Sequence, residues 1–191
     1  MKIGVLALQG AFREHISALQ RLKAEAPPIR LPQDLEGLDG LIIPGGESTS
    51  IGQLMESYRV MEPIRGLASG GFPVMGTCAG LILLGKKARG LSFDPLGVMD
   101  IEVRRNAFGR QVDSFESSLP IPVLGETPFP GVFIRAPMIE EVGEGVQILA
   151  RLPEGPVVAA RQGRLLVSAF HPELTRDLRF HAYFLNSMIA S

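Results

Sequence analysis

The chain has no tryptophan, only two tyrosines and a single cysteine, Cys78, among 191 residues. One cysteine excludes an intrachain disulfide and any cysteine-rich zinc module, and it suits a reducing compartment. Charge of one sign is lacking too: 19 Lys and Arg against 20 Asp and Glu leave a formal net charge of -1. No overall basic field recruits nucleic acid or acidic lipid, so no nucleic acid and no membrane is expected as a partner. No apolar run approaches the ~20 residues that a membrane-spanning helix needs. The opening MKIGVLALQGAF runs into Arg13-Glu14 without the long apolar core and small-residue cleavage site of a signal peptide. These absences point to a soluble, cytoplasmic protein.

Glycine and proline are plentiful, 22 and 15 residues, within a chain that is 46% hydrophobic. That is a turn-rich globular composition, and the length suits one well-packed domain spanning residues 1–191. Ile3 to Leu8 is a nearly continuous apolar run, the pattern of a strand buried on both faces. Phe12, Ile16, Leu19 and Leu22 then recur at helical spacing, and Pro27-Pro28 closes that helix. Ile29-Arg30-Leu31 is a short candidate strand, and Leu41-Ile42-Ile43 is another buried one. Ser50 and Gln53 have the spacing of a capping box, which predicts a helix starting near Ser50. Phe72 to Gly76 and Ala79 to Leu84 repeat the strand–helix unit. The alternation predicts an α/β fold, a three-layer sandwich with a mostly parallel central sheet. From Leu91 to Arg161 short β-like runs suggest added antiparallel strands: Gly97 to Val103, Val132 to Ile134, Val146 to Leu149 and Val157 to Ala160. Leu165 to Phe170 is the last buried strand, and a tail helix carries Leu178, Ala182, Leu185 and Ile189 on one face.

The single cysteine lies in Gly76-Thr77-Cys78-Ala79-Gly80, between a predicted strand and a predicted helix. G-x-C-x-G is the thiol counterpart of the G-x-S-x-G nucleophile elbow. A sharp strand-to-helix turn projects the nucleophile above the sheet, and side chains two residues either side would collide with it. The helix turns its partial positive charge toward the sulfur, and its free N–H groups, beginning with Ala79, can donate to an oxyanion. Without this context, a free cysteine is most often a buried structural residue.

A cysteine nucleophile needs a base, and the chain offers three histidines. His15 lies between Phe12 and Leu19, and His181 three residues after Leu178, so both read as structural. His171 follows the last buried strand, where α/β sheets place their sites, and Glu173 stands two residues on to orient the imidazole. Pro44-Gly45-Gly46-Glu47-Ser48 also ends a strand, and its glycines let an N–H approach a ligand closely. With Ala79, such an N–H near Gly46 would complete the two donors of an oxyanion hole. Two decoys fall away. Gly80 to Lys87 nearly spells a P-loop, but Lys87 replaces the required Ser or Thr. His171-Pro172-Glu173 matches half a zinc-deaminase motif whose paired cysteines are absent, so no metal and no cofactor is expected.

In that order the three motifs resemble a class I (triad) glutamine amidotransferase. Ala7 to Phe12 and Arg105-Asn106-Ala107-Phe108-Gly109-Arg110-Gln111 narrow the likeness to the PdxT family, the glutaminase subunits of pyridoxal 5'-phosphate synthase. It spans essentially the whole chain, with no departure at the matched positions. The resemblance implies a catalytic triad of Cys78, His171 and Glu173, an oxyanion hole at Gly46 and Ala79, and glutamine binding by Gly46, Glu47, Ser48, Arg105, Ile134 and Arg135. Arginine suits the α-carboxylate and Glu47 the α-ammonium. It implies an L-glutamine substrate and ammonia passed to a synthase subunit of the PdxS type in a hetero-oligomeric complex, with activity dependent on that partner. The Gln9-Gly10-Ala11 loop, beside the site, is a candidate for ordering by it. A γ-glutamyl peptide hydrolase would share the same triad, and a non-catalytic scaffold would be expected to lose one member.

Overall fold

A computed structural model describes residues 1–107, 114–153 and 155–189. The chain begins with β1 (Ile3–Leu6), α1 (Phe12–Arg21), β2 (Pro28–Ile29), β3 (Gly40–Ile43), α2 (Ser48–Ser57) and α3 (Met61–Ser69). β4 (Val74–Thr77), α4 (Ala79–Leu84), β5 (Gly85–Arg89), β6 (Met99–Arg104), β7 (Ser114–Leu119) and β8 (Phe129–Ile134) follow. The last elements are β9 (Met138–Val142), β10 (Gln147–Arg151), β11 (Val157–Gln162), β12 (Leu165–Ser168) and α5 (Arg179–Phe184), with a π-helical turn over Leu185–Ile189. None of the helices among the described residues is long and apolar enough to cross a membrane.

A ten-stranded sheet runs β2-β1-β3-β4-β12-β11-β9-β6-β5, with β10 added beside β11. The pairings from β2 to β12 are parallel, and those joining β12, β11, β9 and β6 are antiparallel. β1, β3, β4 and β12 are buried at every position, which is why they read as continuous apolar runs. From β1 the chain steps one way to β2, and from β3 the other way to β4. Right-handed crossovers therefore put α1 and the α2–α3 pair on opposite faces. The reversal between β1 and β3 is a topological switch point, where open α/β sheets form their ligand crevices.

The α/β architecture expected from the sequence is present, and several details differ. The helix predicted near Ser50 starts at Ser48, because the Glu47 carboxylate accepts the N–H groups of Thr49 and Ser50 and caps it first. β1 ends at Leu6 rather than Leu8, before the turn at Gly10, whose φ is +96°. α3 was not among the expected elements: Pro63 sits in its first turn, where a missing N–H costs nothing. Among the described strands β7 and β8 pair only with each other, as a separate two-stranded ribbon. That ribbon still supports the main sheet. Phe129 and Phe133 of β8 pack on Phe170 at 5.6 and 5.8 Å between ring centres, and Phe180 meets it edge-on at 5.3 Å. This aromatic cluster, wholly buried, fixes the chain just before His171.

Candidate active site

Cys78 sits between β4 and α4 with φ +49° and ψ -98°, a conformation that non-glycine residues rarely adopt. Its N–H donates to Ser168 O of β12 at 2.8 Å, holding the turn against the neighbouring strand. The flanking glycines have the steric role that the spacing predicts. A Cβ on Gly80 would lie 2.2 Å from Ile43 O, and one on Gly76 would lie 2.6 Å from the Gly80 backbone. Helix α4 can then pack on β3 and β4 while the sulfur stays at the floor of a pocket. The Gly80–Lys87 decoy resolves into this buried helix and β5.

His171 and Glu173 follow β12, and His171 N–H bonds Val132 O of β8 at 2.8 Å. The imidazole lies between two partners. It adjoins Cys78 on one side, the two lining one pocket, and its Nδ1 is 2.7 Å from Glu173 Oε1 on the other. Burial pulls the imidazole pKa down, but the neighbouring Cys78 and Glu173 outweigh it, raising it to about 10. Burial likewise pushes the Glu173 carboxyl up, and the facing His15 and His171 rings more than reverse this, leaving it below the usual carboxylate range. Room for the imidazole comes from Gly45: a Cβ there would lie 2.3 Å from His171 Cε1 and 3.3 Å from Cys78 Cβ.

Past β3, the Gly45–Glu47 segment is tied to the loop after β1. Ala11 N–H donates to Gly45 O at 2.9 Å, and Glu47 N–H donates to Gln9 Oε1 at 2.9 Å. With Gly45 O turned toward Ala11, the trans peptide directs Gly46 N–H to the opposite side. A Cβ on Gly46 would lie 2.4 Å from Gln9 Oε1 and 3.0 Å from Gly10 Cα, which shows how closely the two loops approach here.

A pocket of about 260 Å³ opens above the sulfur, lined by Gln9, Gly46, Glu47, Ser48, Cys78, Ile82, Arg105, Asn106, Ile134, Arg135 and His171. The structure thus gathers the sequence-predicted residues Gly46, Glu47, Ser48, Cys78, Arg105, Ile134, Arg135 and His171 at one cavity, with Ala79 heading α4 beside it and Glu173 buried behind. Arg105 and Glu47 meet each other, at 3.0 Å, and Arg105 also donates to Gly90 O. Burial opposes ionisation of Glu47, but its Ser50 and Thr49 donors hold its pKa at about 2, so this is a true ion pair. Ile134 O lies 4.0 Å from Cys78 Sγ, and Arg135, next in sequence, has φ +42°. The Phe108–Gln111 part of the Arg105–Gln111 motif lies outside the described residues.

The two histidines expected to be structural are buried and do not line the pocket. His15, however, approaches the far side of Glu173, with Nε2 3.3 Å from Oε2. Sequence reasoning misses this contact, because α1 and the segment after β12 lie at opposite ends of the chain and no local pattern links them. Ile82 of the pocket floor is also missed, since on α4 it is one of six consecutive buried residues.

A thiol, an imidazole and a carboxylate in line beneath a small polar pocket make an arrangement suited to nucleophilic acyl transfer, and known proteins share this chain's length and fold. A "Pyridoxal 5'-phosphate synthase subunit PdxT" from Pelotomaculum thermopropionicum is 58% identical over 189 residues, covering 99% of this chain and 96% of the relative. A protein of the same name from Moorella thermoacetica is 58% identical over 185 residues, 97% of this chain and 98% of the relative. A crystal structure of a glutamine amidotransferase superposes with a TM-score of 0.92 at 50% identity, each chain covered in full. Residues 5–190 match the SNO glutamine amidotransferase family. With agreement in sequence and fold along nearly its whole length, the chain belongs to that family.

Proposed function

We propose that this chain hydrolyses L-glutamine to glutamate and ammonia, and hands the ammonia to a synthase subunit that makes pyridoxal 5'-phosphate. The observation that carries the reading is the line Cys78–His171–Glu173 at the base of a pocket sized for a small amino acid. The names of the relatives supply the synthase half of the reading.

Cys78 passes its proton to His171, and the thiolate attacks the side-chain carboxamide carbon of glutamine. The oxyanion that forms is held by the N–H groups of Gly46 and Ala79. His171 then donates its proton to the departing ammonia, leaving a γ-glutamyl thioester on Cys78. Water deprotonated by His171 attacks the thioester, and glutamate leaves as the thiolate returns. Glu173 keeps the imidazole oriented and stabilises its protonated form. At the pocket mouth, Arg105 suits the α-carboxylate and Glu47 the α-ammonium, so a bound zwitterion would bridge the pair that now meets directly. Ser48, Ile134 and Arg135 complete the glutamine contacts.

The test is glutamate release by the purified chain, alone and with a synthase subunit. Cys78→Ala is expected to abolish release in both settings, and turnover by that variant would refute the mechanism. Equal turnover with and without the synthase would refute the partner dependence.

A further inference from the structure

Two fully buried histidines take no part in the chemistry above. His15, on α1, and His181, on α5, pack with ring centres 5.1 Å apart. His15 Nε2 is 3.1 Å from Thr77 Oγ1 and 3.3 Å from Glu173 Oε2, while its Nδ1 is 2.9 Å from His181 Nε2. On the other side of the carboxylate, Glu173 Oε1 holds His171. Among the described residues, neither Glu173 Oε2 nor His181 Nδ1, both buried, has a hydrogen-bond partner of ordinary geometry. A buried carboxylate oxygen left unpaired is costly, so whatever faces Oε2 matters.

Counting protons decides what His15 presents to it. Burial keeps both rings neutral: it lowers the His15 pKa against the pull of Glu173, and takes that of His181 down to about 3. Each ring therefore carries one N–H. If His15 carried it on Nδ1, donating to His181 Nε2, then His181 would hold its own proton on Nδ1. That would be a buried N–H with no acceptor, and the bare Nε2 of His15 would aim a lone pair at the carboxylate. The other assignment has neither fault. His181 Nε2–H donates to His15 Nδ1, and His15 Nε2–H is shared between Thr77 Oγ1 and Glu173 Oε2. The atom left over, His181 Nδ1, is then an unpaired acceptor, which proteins tolerate better than an orphaned N–H.

We propose that His15 is a positioning residue for the triad: its Nε2–H holds the outer oxygen of Glu173, and His181 fixes the tautomer that makes this possible. This rests on the Cys78–His171–Glu173 reading above. A carboxylate held at one oxygen only can swing about its terminal torsion, whereas one held at both presents Oε1 to His171 in one orientation. His15 thereby orients His171 from behind, without touching the substrate or the sulfur.

Two side chains separate this role from simple core filling. In Gln the amide nitrogen sits where His carries Nε2, and in Asn where His carries Nδ1. With a synthase subunit present, His15→Asn should lower kcat by about tenfold to a hundredfold, the loss of one hydrogen bond to a charged group. The glutamine KM should stay put, because His15 does not line the pocket. His15→Gln should recover to within about threefold of the parent, because its amide N–H can still reach Oε2. Parent-like turnover by His15→Asn, a loss carried in KM, or equal loss in both folded variants would overturn the proposal. The parent protein gives a second measurement that needs no variant. Its three histidines make nitrogen NMR of the imidazoles simple to assign, and His15 should carry its proton on Nε2. A bare Nε2 there would overturn the proposal whatever the variants do. If Cys78→Ala leaves glutamate release intact, the triad reading itself fails. If Cys78→Ala is inactive while His15→Asn is unimpaired, only the positioning role fails.

Discussion

Replacing Glu173 with glutamine removes one charge and keeps the shape of the side chain, which isolates what the carboxylate does for His171. In the parent the imidazole pKa stands at about 10 rather than 6.5, raised by Cys78 and Glu173 against the pull of burial. That difference corresponds to about 5 kcal/mol of preference for the protonated ring. The part carried by Glu173 is one charge-assisted hydrogen bond of 2.7 Å, worth about 1.5–3 kcal/mol. Glu173→Gln should therefore lower kcat by about tenfold to a hundredfold. The sign of the pH effect follows from the direction of the shift. A raised pKa means that the fold favours the imidazolium, and removing Glu173 lets the ring lose its proton at lower pH. The alkaline limb of the kcat profile, where His171 can no longer protonate the leaving ammonia, should move down the pH axis. Glutamate release at saturating glutamine, with the synthase subunit present, measures both effects. An alkaline limb that stays in place or moves up, or parent-like kcat, would refute the coupling of Glu173 to His171.

Two further substitutions probe the walls of the pocket. Gly45→Ala would put a methyl group 2.3 Å from His171 Cε1, so the ring must shift. A misplacement of about 1 Å costs about a hundredfold in kcat, and a folded Gly45→Ala variant with parent-like kcat would refute the close packing. Arg105→Ala removes the cation at the pocket mouth and should raise the glutamine KM by about tenfold to a hundredfold with little change in kcat. Steady-state kinetics that put the loss in kcat instead would show that Arg105 does not bind the substrate.

The elbow is legible in the sequence because its requirements are steric and local: Gly76 and Gly80 stand where a side chain would strike backbone. His171-Pro172-Glu173 is legible for a related reason, since it ends the apolar run that contains strand β12. The helix boundary at Ser48 is not, because Glu47, three residues before Ser50, accepts the Thr49 and Ser50 N–H groups and starts the helix earlier. β5 hides as well: Lys86 and Lys87 are exposed, so the strand shows no apolar alternation. The Arg105–Glu47 pair and the His15–Glu173 contact join residues far apart in the chain. Only the folded sheet brings them together, and composition and spacing carry no trace of it.

Gly45, Cys78 and His171 stand just beyond three strands, β3, β4 and β12, that lie side by side in the sheet. Thr77 is registered to Ser168 across the last pair, and Ile43 to Gly76 across the first. The lateral gauge between oxyanion turn, nucleophile and base is thus the width of one hydrogen-bonded ladder, about 4.8 Å, a length that no loop sets. The long excursion from β5 to β11 leaves this three-strand rail after β4 and returns to it at β12, and nothing inserted along that detour alters the gauge. Drift in sequence is therefore expensive on the rail, and along the detour it is cheap only away from Arg105 and residues 129–135, which reach back to the site.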